Sequence, residues 1–376
     1  MGSLANRTAM AMVIVHASDI HLETTFTDLR GGARRRAALA DAFTRIIDLA
    51  LERHADALTL GGDVYESARA GPQTARFLFE QLSRFAEPVF IAPGNHDPYH
   101  ARAMYARGDL PANVHVFGEP SWSARELRGG TTIFGFGHTP SEPGRPFADA
   151  SFQGSGPRIA LVHGSDEERC PPGKRATAPF TVDEIRASGA TCVLSGHYHG
   201  GYVVVDDDDG SPRLVYPGSP EPLKFGERGT HGVAVITIDN ERITAEPVEL
   251  ARTRLVDREA RLGDADSEPA VIAAVERALA DCGRDDYVRL RLSGTVKAGT
   301  RIDTELLAER CGALLGALDV IDNTVTADYA ALAREPNVRG RVVTDLLAQA
   351  DAGDEDARFA LRYAVAAFEG AEPAPA

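Results

Sequence analysis

The first hundred residues of the chain alternate apolar runs with segments of helical spacing. Three largely apolar runs have the length and composition of buried strands: residues 12–17, 57–60 and 89–91. Two segments between them repeat apolar residues with helical spacing: residues 31–54 and 73–85. Consecutive parallel strands need crossover connections, and these are right-handed. The alternation therefore predicts an α/β fold with a largely parallel sheet.

After residue 112 the chain changes to closely spaced strands. One short helix, residues 182–188, interrupts them. The predicted strands are residues 113–117, 131–136, 158–162, 191–194, 202–205, 213–216, 233–238 and 243–248. So many strands with few helices require two packed sheets whose outer faces are covered by helices. We therefore predict a four-layer α/β/β/α domain over residues 12–252.

The pattern resets at residue 253. A strand, a helix, an alternating strand, a second helix and a third strand predict a small α+β cap domain over residues 253–330. Amphipathic helices follow in residues 331–370. Residues 371–376 are expected to be disordered, and residues 1–11 to be disordered or vector-derived.

Composition limits the function classes. The net charge of −15 argues against broad electrostatic binding of nucleic acid, so any DNA contact must come from local basic patches or bound metal. The four cysteines are far apart and form no Cys-x-x-Cys pair, which argues against a zinc ribbon, a redox motif or a disulfide framework. No apolar run approaches the length of a spanning helix, so a cytoplasmic protein without membrane contact is expected.

Five polar clusters follow apolar runs, where strands are predicted to end. They are Asp19-x-His21, Gly62-Asp63, Gly94-Asn95-His96-Asp97, His163-Gly164 and Gly196-His197-x-His199. Open α/β sheets carry their chemistry at the carboxyl ends of the strands. Carboxylates, imidazoles and one amide, without a thiolate, suit manganese, iron or zinc in near-octahedral sites. Each cluster alone is ordinary turn composition, but five in one order predict a shared metal site.

The order of these clusters resembles that of the calcineurin-like metallophosphoesterases, and the resemblance extends from Asp19 to His199. It implies that one divalent ion is held by Asp19, His21, Asp63 and His199. It implies a second ion held by Asp63, Asn95, His163 and His197. His96 would steer the scissile phosphate or protonate the leaving oxygen, and Asp97 would orient the His96 ring. Two cations about 3.5–4 Å apart can neutralise a phosphodiester and lower the pKa of a bound water toward about 7.

A second resemblance, to the SbcD-like branch of DNA repair exonucleases, covers nearly the whole chain. It is carried by Tyr216–Glu221, by Lys224–Glu227, by Arg34–Arg36, by Ala178–Phe180 and by the domain appended after Thr253. The resemblance implies a manganese-dependent nuclease with exonuclease or single-strand endonuclease activity. It also implies a DNA-binding cap, carboxyl-terminal helices that dock an SbcC-type ATPase, and a homodimer formed through residues 73–85.

Four residues are predicted to bind substrate: Arg34, Arg35, Ser219 and Lys224. Arginines at the start of a helix oppose the macrodipole, so Arg34 and Arg35 suggest phosphate contact, although a solvated helix start is an equal alternative. Arg289 and Arg291 alternate on one strand face, which is either solvated or the DNA side of the cap. Archaeal and eukaryotic members of the branch tend to carry histidine three positions after the bridging Asp; Glu66 occupies that position here, as in bacterial relatives, which puts strong processive exonuclease activity in doubt.

Two other functions remain open at this point. The same centre can serve small phosphomonoesters or cyclic nucleotides, because this fold carries several substrates. The chain can also be a DNA-end binding scaffold with vestigial nuclease activity. The remaining histidines are assigned structural roles, and His138, which follows a strand, is the strongest candidate for an overlooked site residue.

Overall fold

The computed structural model describes residues 11–27, 30–141, 143–170, 173, 175–206, 208–265, 267–297 and 300–368. Of the ends predicted to be disordered, residues 1–11 and 371–376, all but Ala11 lie outside this range. The chain divides into a first unit, residues 1–27 and 32–253, and a second unit, residues 28–31 and 254–376. The helices predicted over residues 331–370 belong to the second unit together with the α+β segment. No helix among the described residues has the length and apolar character needed to span a membrane.

The first unit contains most of the predicted strands and helices, besides three short 3₁₀ helices. Its elements are β1 (Met12–Ala17), α1 (Gly32–Glu52), β2 (Ala57–Leu60), α2 (Pro72–Ser83), β3 (Val89–Ile91), β4 (Val114–Val116), β5 (Ser123–Glu126), β6 (Thr132–Phe136), β7 (Arg158–His163), α3 (Val182–Ser188), β8 (Cys192–Gly196), β9 (Tyr202–Val205), β10 (Pro212–Tyr216), β11 (Gly232–Asp239) and β12 (Arg242–Glu249). Strand β5 was not predicted, because its residues are polar and exposed at a sheet edge.

Two six-stranded sheets form the centre of the first unit. The first has the order β12-β11-β1-β2-β3-β4, and β1 to β4 run parallel to one another. The second has the order β5-β6-β7-β8-β10-β9, and its four inner strands are parallel. An apolar cluster between the sheets joins Ile14 and Phe90 of the first sheet to Ile159 and Leu194 of the second. The two sheets therefore pack face to face.

Helices cover the outer faces of the two sheets. Leu39, Phe43 and Ile46 lie on one face of α1 and are fully buried in a cluster with strands of the first sheet. On the second sheet, α3 begins with a capping box in which Thr181 and Glu184 bond each other's backbone amides, and it ends at Gly189 with φ 79°. These layers confirm the predicted α/β/β/α fold.

The second unit has its own sheet and its own apolar cluster. Its elements are β13 (Arg254–Ala265), α4 (Glu268–Ala278), β14 (Asp286–Lys297), α5 (Thr304–Cys311), β15 (Ala317–Asp322), β16 (Val325–Ala327), α6 (Tyr329–Ala333), α7 (Val338–Asp351) and α8 (Glu355–Phe368). Strand β14 pairs in parallel with β13, β15 and β16. Val288, Leu290 and Leu292 of β14 are fully buried against α4 and α5. Helices α7 and α8 pack on each other through Val343, Leu361 and Val365.

Candidate metal centre

The five polar clusters of the sequence meet at one edge of the first unit. Three follow the carboxyl ends of β1, β2 and β3 in the first sheet, and two follow β7 and β8 in the second. Because parallel strands end at the same edge of a sheet and the two sheets are stacked, these loops face one another. The residues brought together are Asp19, His21, Asp63, Asn95, His96, His163, His197 and His199.

The backbone of these loops is locally strained. Residues with a side chain seldom adopt a left-handed backbone, because Cβ then approaches the following carbonyl oxygen. Asp19, His21 and Asp63 have φ of 54°, 52° and 52°, and His197 has φ of 112°. The Asp19 amide donates to the Gly62 carbonyl at 3.0 Å, and the His21 amide donates to the Asp63 carbonyl at 2.9 Å. Such strain is concentrated at functional sites, where surrounding bonds maintain it.

Asp63 lies between two histidines. Its Oδ2 atom is 3.6 Å from Nε2 of His21 and 3.3 Å from Nε2 of His163. Nε2 of His163 is also 3.1 Å from the side-chain oxygen of Asn95. The His21 and His199 rings lie 5.2 Å apart, and the His163 and His197 rings lie 5.3 Å apart. The donors thus form two adjoining groups on either side of Asp63.

The donors present fit divalent cations. Ligand atoms of Asp19, His21 and His199 lie within 4.8 Å of one another, as do those of Asp19, Asp63 and His163. Nε2 of His21 is buried and has no hydrogen-bond partner among the described residues, which is costly unless it binds an ion. Gly94 lies so close that an added Cβ would be 2.3 Å from the Asp63 carboxylate. The centre is compact and preformed.

Burial and ion pairing set the protonation of the centre. Burial raises the pKa of Asp63, but His163 and His21 lower it further, so the net pKa is well below its ordinary value. Burial lowers the pKa of His163, but the Asp63 carboxylate raises it to about 9. Burial lowers the pKa of His197 to about 4. In the metal-free protein at neutral pH, His163 therefore holds a proton that a bound cation would replace.

Two glutamates and a backbone carbonyl contact the Nδ1 atoms of three candidate ligand histidines and orient their rings. Nδ1 of His21 contacts Glu66 at 2.8 Å, Nδ1 of His199 contacts Glu227 at 2.6 Å, and Nδ1 of His163 contacts the Gly61 carbonyl at 2.8 Å. A carboxylate or carbonyl on Nδ1 accepts its proton, which leaves the Nε2 lone pair free to bind a cation. Sequence reasoning gave no role in the centre to Glu227, and it noted Glu66 only because archaeal and eukaryotic members of the DNA repair branch tend to carry histidine at that position. The sequence feature that could have indicated the role of Glu66 is its position three residues after Asp63.

His96 lies at the edge of this centre. Its ring is 4.8 Å from the His21 ring, and its Nδ1 atom contacts Oε2 of Glu66 at 2.9 Å. The hydrogen bond to Glu66 raises the pKa of His96. The side chain is 44% exposed, so a substrate in the site can reach the ring. The His96 amide also donates to Oδ1 of Asp63 at 2.8 Å, which fixes the loop.

The predicted contact between Asp97 and the His96 ring is wrong. The Asp97 carboxylate is fully buried and accepts hydrogen bonds from the amides of Asp63, Val64 and Gly94 at 2.6–3.0 Å. The hydroxyl of Tyr105 donates to it at 2.6 Å. Asp97 therefore ties together the loops after β2 and β3. Neighbouring residues in a tight loop point in different directions, and Glu66 takes the expected role at His96.

Two of the four predicted substrate-binding residues are internal. Arg35 is fully buried and donates to the Pro222 carbonyl and to Thr253, beside Glu221 at 3.6 Å. Ser219 is fully buried and donates to the Glu221 carbonyl at 2.8 Å. The prediction that Arg35 and Ser219 contact the substrate is therefore wrong. Arg34 and Lys224 are exposed and remain predictions.

His138 lies behind His163. It is 2% exposed, and its Nε2 atom contacts the His163 carbonyl at 2.7 Å. The two rings meet edge to face at 5.5 Å. Burial lowers the pKa of His138 to about 4. Its bond to the backbone of a candidate ligand makes it a supporting residue of the centre.

The centre opens into two cavities. The larger, about 900 Å³, contains the candidate ligands His21, Asp63 and His199. Four basic side chains line its rim: Arg169, Arg175, Lys224 and Arg228. The smaller, about 580 Å³, is lined by prolines and by Thr139, Ser141 and Thr177. Asn95 and Arg175 line both cavities, so free space extends to two sides of the centre.

A family model described as calcineurin-like phosphoesterase matches residues 12–201, a little over half of the chain. The chain belongs to this family. The matched residues contain all five clusters, from Asp19 to His199. Membership accounts for the two stacked sheets and for the group of candidate divalent-metal ligands at their edge.

Three proteins of known sequence are similar to the chain. An uncharacterized metallophosphoesterase of Bacillus subtilis, YhaO, is 27% identical over 62% of this chain and 59% of its own length. A DNA double-strand break repair protein, Mre11 of Aeropyrum pernix, is 22% identical over 82% of this chain and 78% of its own. A component of the SbcCD nuclease of Rhodobacter capsulatus is 32% identical over 28% of this chain and 27% of its own. The chain thus spans less than two thirds of the Bacillus protein.

Proposed function

We propose that this chain is a phosphodiesterase that uses two divalent ions, with manganese as the preferred metal, to hydrolyse DNA in repair. The observation that carries the proposal is a set of seven donors, which consists of Asp63 and of six donors on its two sides. One ion would be held by Asp19, His21, Asp63 and His199, and the other by Asp63, Asn95, His163 and His197. Iron or zinc would suit the same donors.

The bound ions would neutralise the phosphate and supply an activated water. The chain's own residues would orient the ligand rings and act on the leaving oxygen. Glu66, Glu227 and the Gly61 carbonyl hold the ligand rings so that Nε2 faces the centre. His96 lies beside the centre with Nδ1 held by Glu66. Its Nε2 atom is then available to steer the phosphate or to protonate the leaving oxygen. A positioned general acid typically accelerates such a step about 10²–10⁴-fold.

The surroundings of the centre support a phosphodiester substrate. A phosphodiester carries a group on each side of the scissile phosphate, and the two cavities that share Asn95 and Arg175 offer room for both. The basic rim of the larger cavity supplies the local positive charge that an acidic chain needs to hold a nucleic-acid backbone. Two relatives, a DNA double-strand break repair protein and a component of a nuclease, support the same substrate.

Three further parts of the proposal concern assembly. The second unit would contact DNA, helices α7 and α8 would dock an SbcC-type ATPase, and two copies would pair through residues 73–85. On β14, Arg289 and Arg291 both pair with Asp257 of β13, which leaves that face of mixed charge and favours the solvated alternative.

The test is a nuclease assay with manganese on linear double-stranded and single-stranded DNA. We expect His96→Ala to bind as much manganese as the wild type and to lose DNA cleavage by about 10²–10⁴-fold, as removal of a general acid does. His100→Ala, which changes a histidine further along the same loop, is the matched control and should cleave normally. Unchanged cleavage by His96→Ala would contradict the role of His96.

A substrate panel separates the proposal from its two alternatives. Turnover of small phosphomonoesters or cyclic nucleotides without DNA cleavage would favour a small-ester phosphoesterase. DNA binding that survives Asp63→Asn, in a protein whose wild type cleaves nothing, would favour a scaffold.

A further inference from the structure

Glu66 contacts two histidines at once. It follows β2 in the loop that contains Asp63, and its side chain is 14% exposed. Its Oε1 atom contacts Nδ1 of His21 at 2.8 Å, and its Oε2 atom contacts Nδ1 of His96 at 2.9 Å. Thr24 donates a third hydrogen bond to Oε1 at 3.1 Å. The Glu66 amide donates to the Leu22 carbonyl at 2.9 Å, so the backbone of Glu66 is fixed as well.

We propose that Glu66 is a shared positioning residue, which sets the His21 ring for metal binding and the His96 ring for the leaving oxygen through one carboxylate. The second of these duties rests on the proposed function. The first rests only on the metal site of that proposal, because it concerns metal affinity alone. One side chain thereby couples the metal centre to the group that acts on the phosphate.

The geometry at His21 supports the first duty. An imidazole whose Nδ1 proton is accepted by a carboxylate has its lone pair on Nε2. Nε2 of His21 is buried, lacks a hydrogen-bond partner among the described residues and lies 3.6 Å from Oδ2 of Asp63. Removal of a carboxylate behind a ligand histidine typically weakens metal binding about 10–100-fold.

The geometry at His96 supports the second duty. The His96 side chain is 44% exposed, and its ring is held by the contact of Nδ1 with Glu66 and by the edge of the His21 ring at 4.8 Å. The bond from Nδ1 to Glu66 directs Nε2 away from the carboxylate. Nε2 is the atom that would reach the leaving oxygen.

A carboxylate can do what a histidine at this position cannot. Each carboxylate oxygen accepts hydrogen bonds independently, and Glu66 uses one for each ring. A neutral imidazole has a single acceptor nitrogen, so it can accept from only one ring. The carboxylate of Glu66 therefore allows a double contact that a histidine at this position would not make.

The test compares Glu66→Ala with two matched variants in the full chain. Manganese affinity is measured by calorimetry, and turnover is measured at saturating manganese on phosphodiesters with a good leaving group, p-nitrophenolate, and a poor one, phenolate. These esters make the test independent of DNA as the substrate. A good leaving group needs no proton, so the ratio of the two rates measures how much a proton donor contributes to turnover.

We expect Glu66→Ala to bind manganese about 10–100-fold more weakly than the wild type. At saturating manganese, its turnover of the phenyl ester should fall by at least about 10²-fold, and its turnover of the p-nitrophenyl ester by less than about tenfold. Glu227→Ala, whose contact is with His199, should weaken manganese binding without changing the ratio of the rates. His96→Ala should change the ratio without changing the affinity. The double variant Glu66→Ala/His96→Ala should turn over the phenyl ester no more slowly than His96→Ala.

Two results would overturn the proposal: unchanged manganese affinity in Glu66→Ala, or equal loss on both esters together with additive losses in the double variant. If Glu66→Asp restores the wild-type ratio of turnover rates on the two esters, the result would support a positioning role of Glu66 over a packing role. Cleavage of esters but not of DNA would overturn the proposed substrate and leave the Glu66 proposal to be judged by these same measurements.

Discussion

Asp63 and the residues that contact it show what the amino-acid sequence can and cannot indicate about single side chains. The candidate ligands could be predicted because each lies within a few residues of a strand end. The roles of Asp97 and Glu227 could not, because they depend on the direction that each side chain takes in a loop. Asp97 bonds backbone amides of two loops, and Glu227 reaches His199 from 28 residues away.

At neutral pH, we expect metal binding to release a proton from His163. The pKa of this ring in the metal-free protein is about 9, so the ring is protonated below that pH and must lose its proton to bind an ion. Manganese affinity should therefore fall as the pH is lowered from about 9 to about 7, by up to about tenfold per unit. Calorimetry near neutral pH in buffers of different ionisation enthalpy measures the release. Binding heats that are the same in all buffers would contradict it.

Among the elements, helices were predicted where one face is apolar and parallel strands where a run is apolar throughout, whereas the prediction for Arg35 was wrong because its charge is buried. The arginines at the start of α1 suggested a surface for phosphate, yet Arg35 points inward. Glu221, which is fully buried, contacts Arg45 at 2.6 Å and Arg35 at 3.6 Å. It also accepts from the backbone amides of Arg252 and Thr253 at 3.0 and 3.2 Å. No periodic pattern identifies the partner of a buried charge.

Glu221→Ala should destabilise the first unit strongly. The substitution removes the buried carboxylate that contacts the guanidinium groups of Arg35 and Arg45, and breaking a buried ion pair costs about 3–5 kcal/mol. Urea unfolding of the two proteins measures the difference in the free energy of unfolding. Glu80→Ala, which breaks an exposed pair with Arg76, is the control and should cost less than about 0.5 kcal/mol. Equal costs for the two substitutions would contradict the account of α1.

For the molecule as a whole, the fold was predictable and the substrate was not. Alternating strands and helices fix two stacked sheets, but the same fold carries different substrates. The chain is acidic, with a net charge of −15, whereas the rim of the larger cavity is basic. That rim combines residues from distant loops, from Arg169 to Arg228, so its charge becomes visible only in the folded molecule.

Removing two rim charges should weaken DNA binding while leaving the metal centre intact. We expect Lys224→Ala/Arg228→Ala to raise the Kd for DNA and to reduce the salt dependence of binding by about two counterions, because each contact with a phosphate releases about one. Turnover of a p-nitrophenyl diester at saturating manganese should stay within about threefold, because neither side chain is a candidate ligand. Fluorescence anisotropy at several salt concentrations provides the measurement. A salt dependence equal to that of the wild type would contradict a role of this rim in binding DNA.

The most direct test of the metal centre is an anomalous-difference map from crystals grown with manganese. Two cations that share one carboxylate lie about 3.5–4 Å apart. We expect two peaks at that separation, one on the side of His21 and His199 and one on the side of His163 and Asn95, with Asp63 between them. A single peak, or two peaks without Asp63 as a common ligand, would contradict the account.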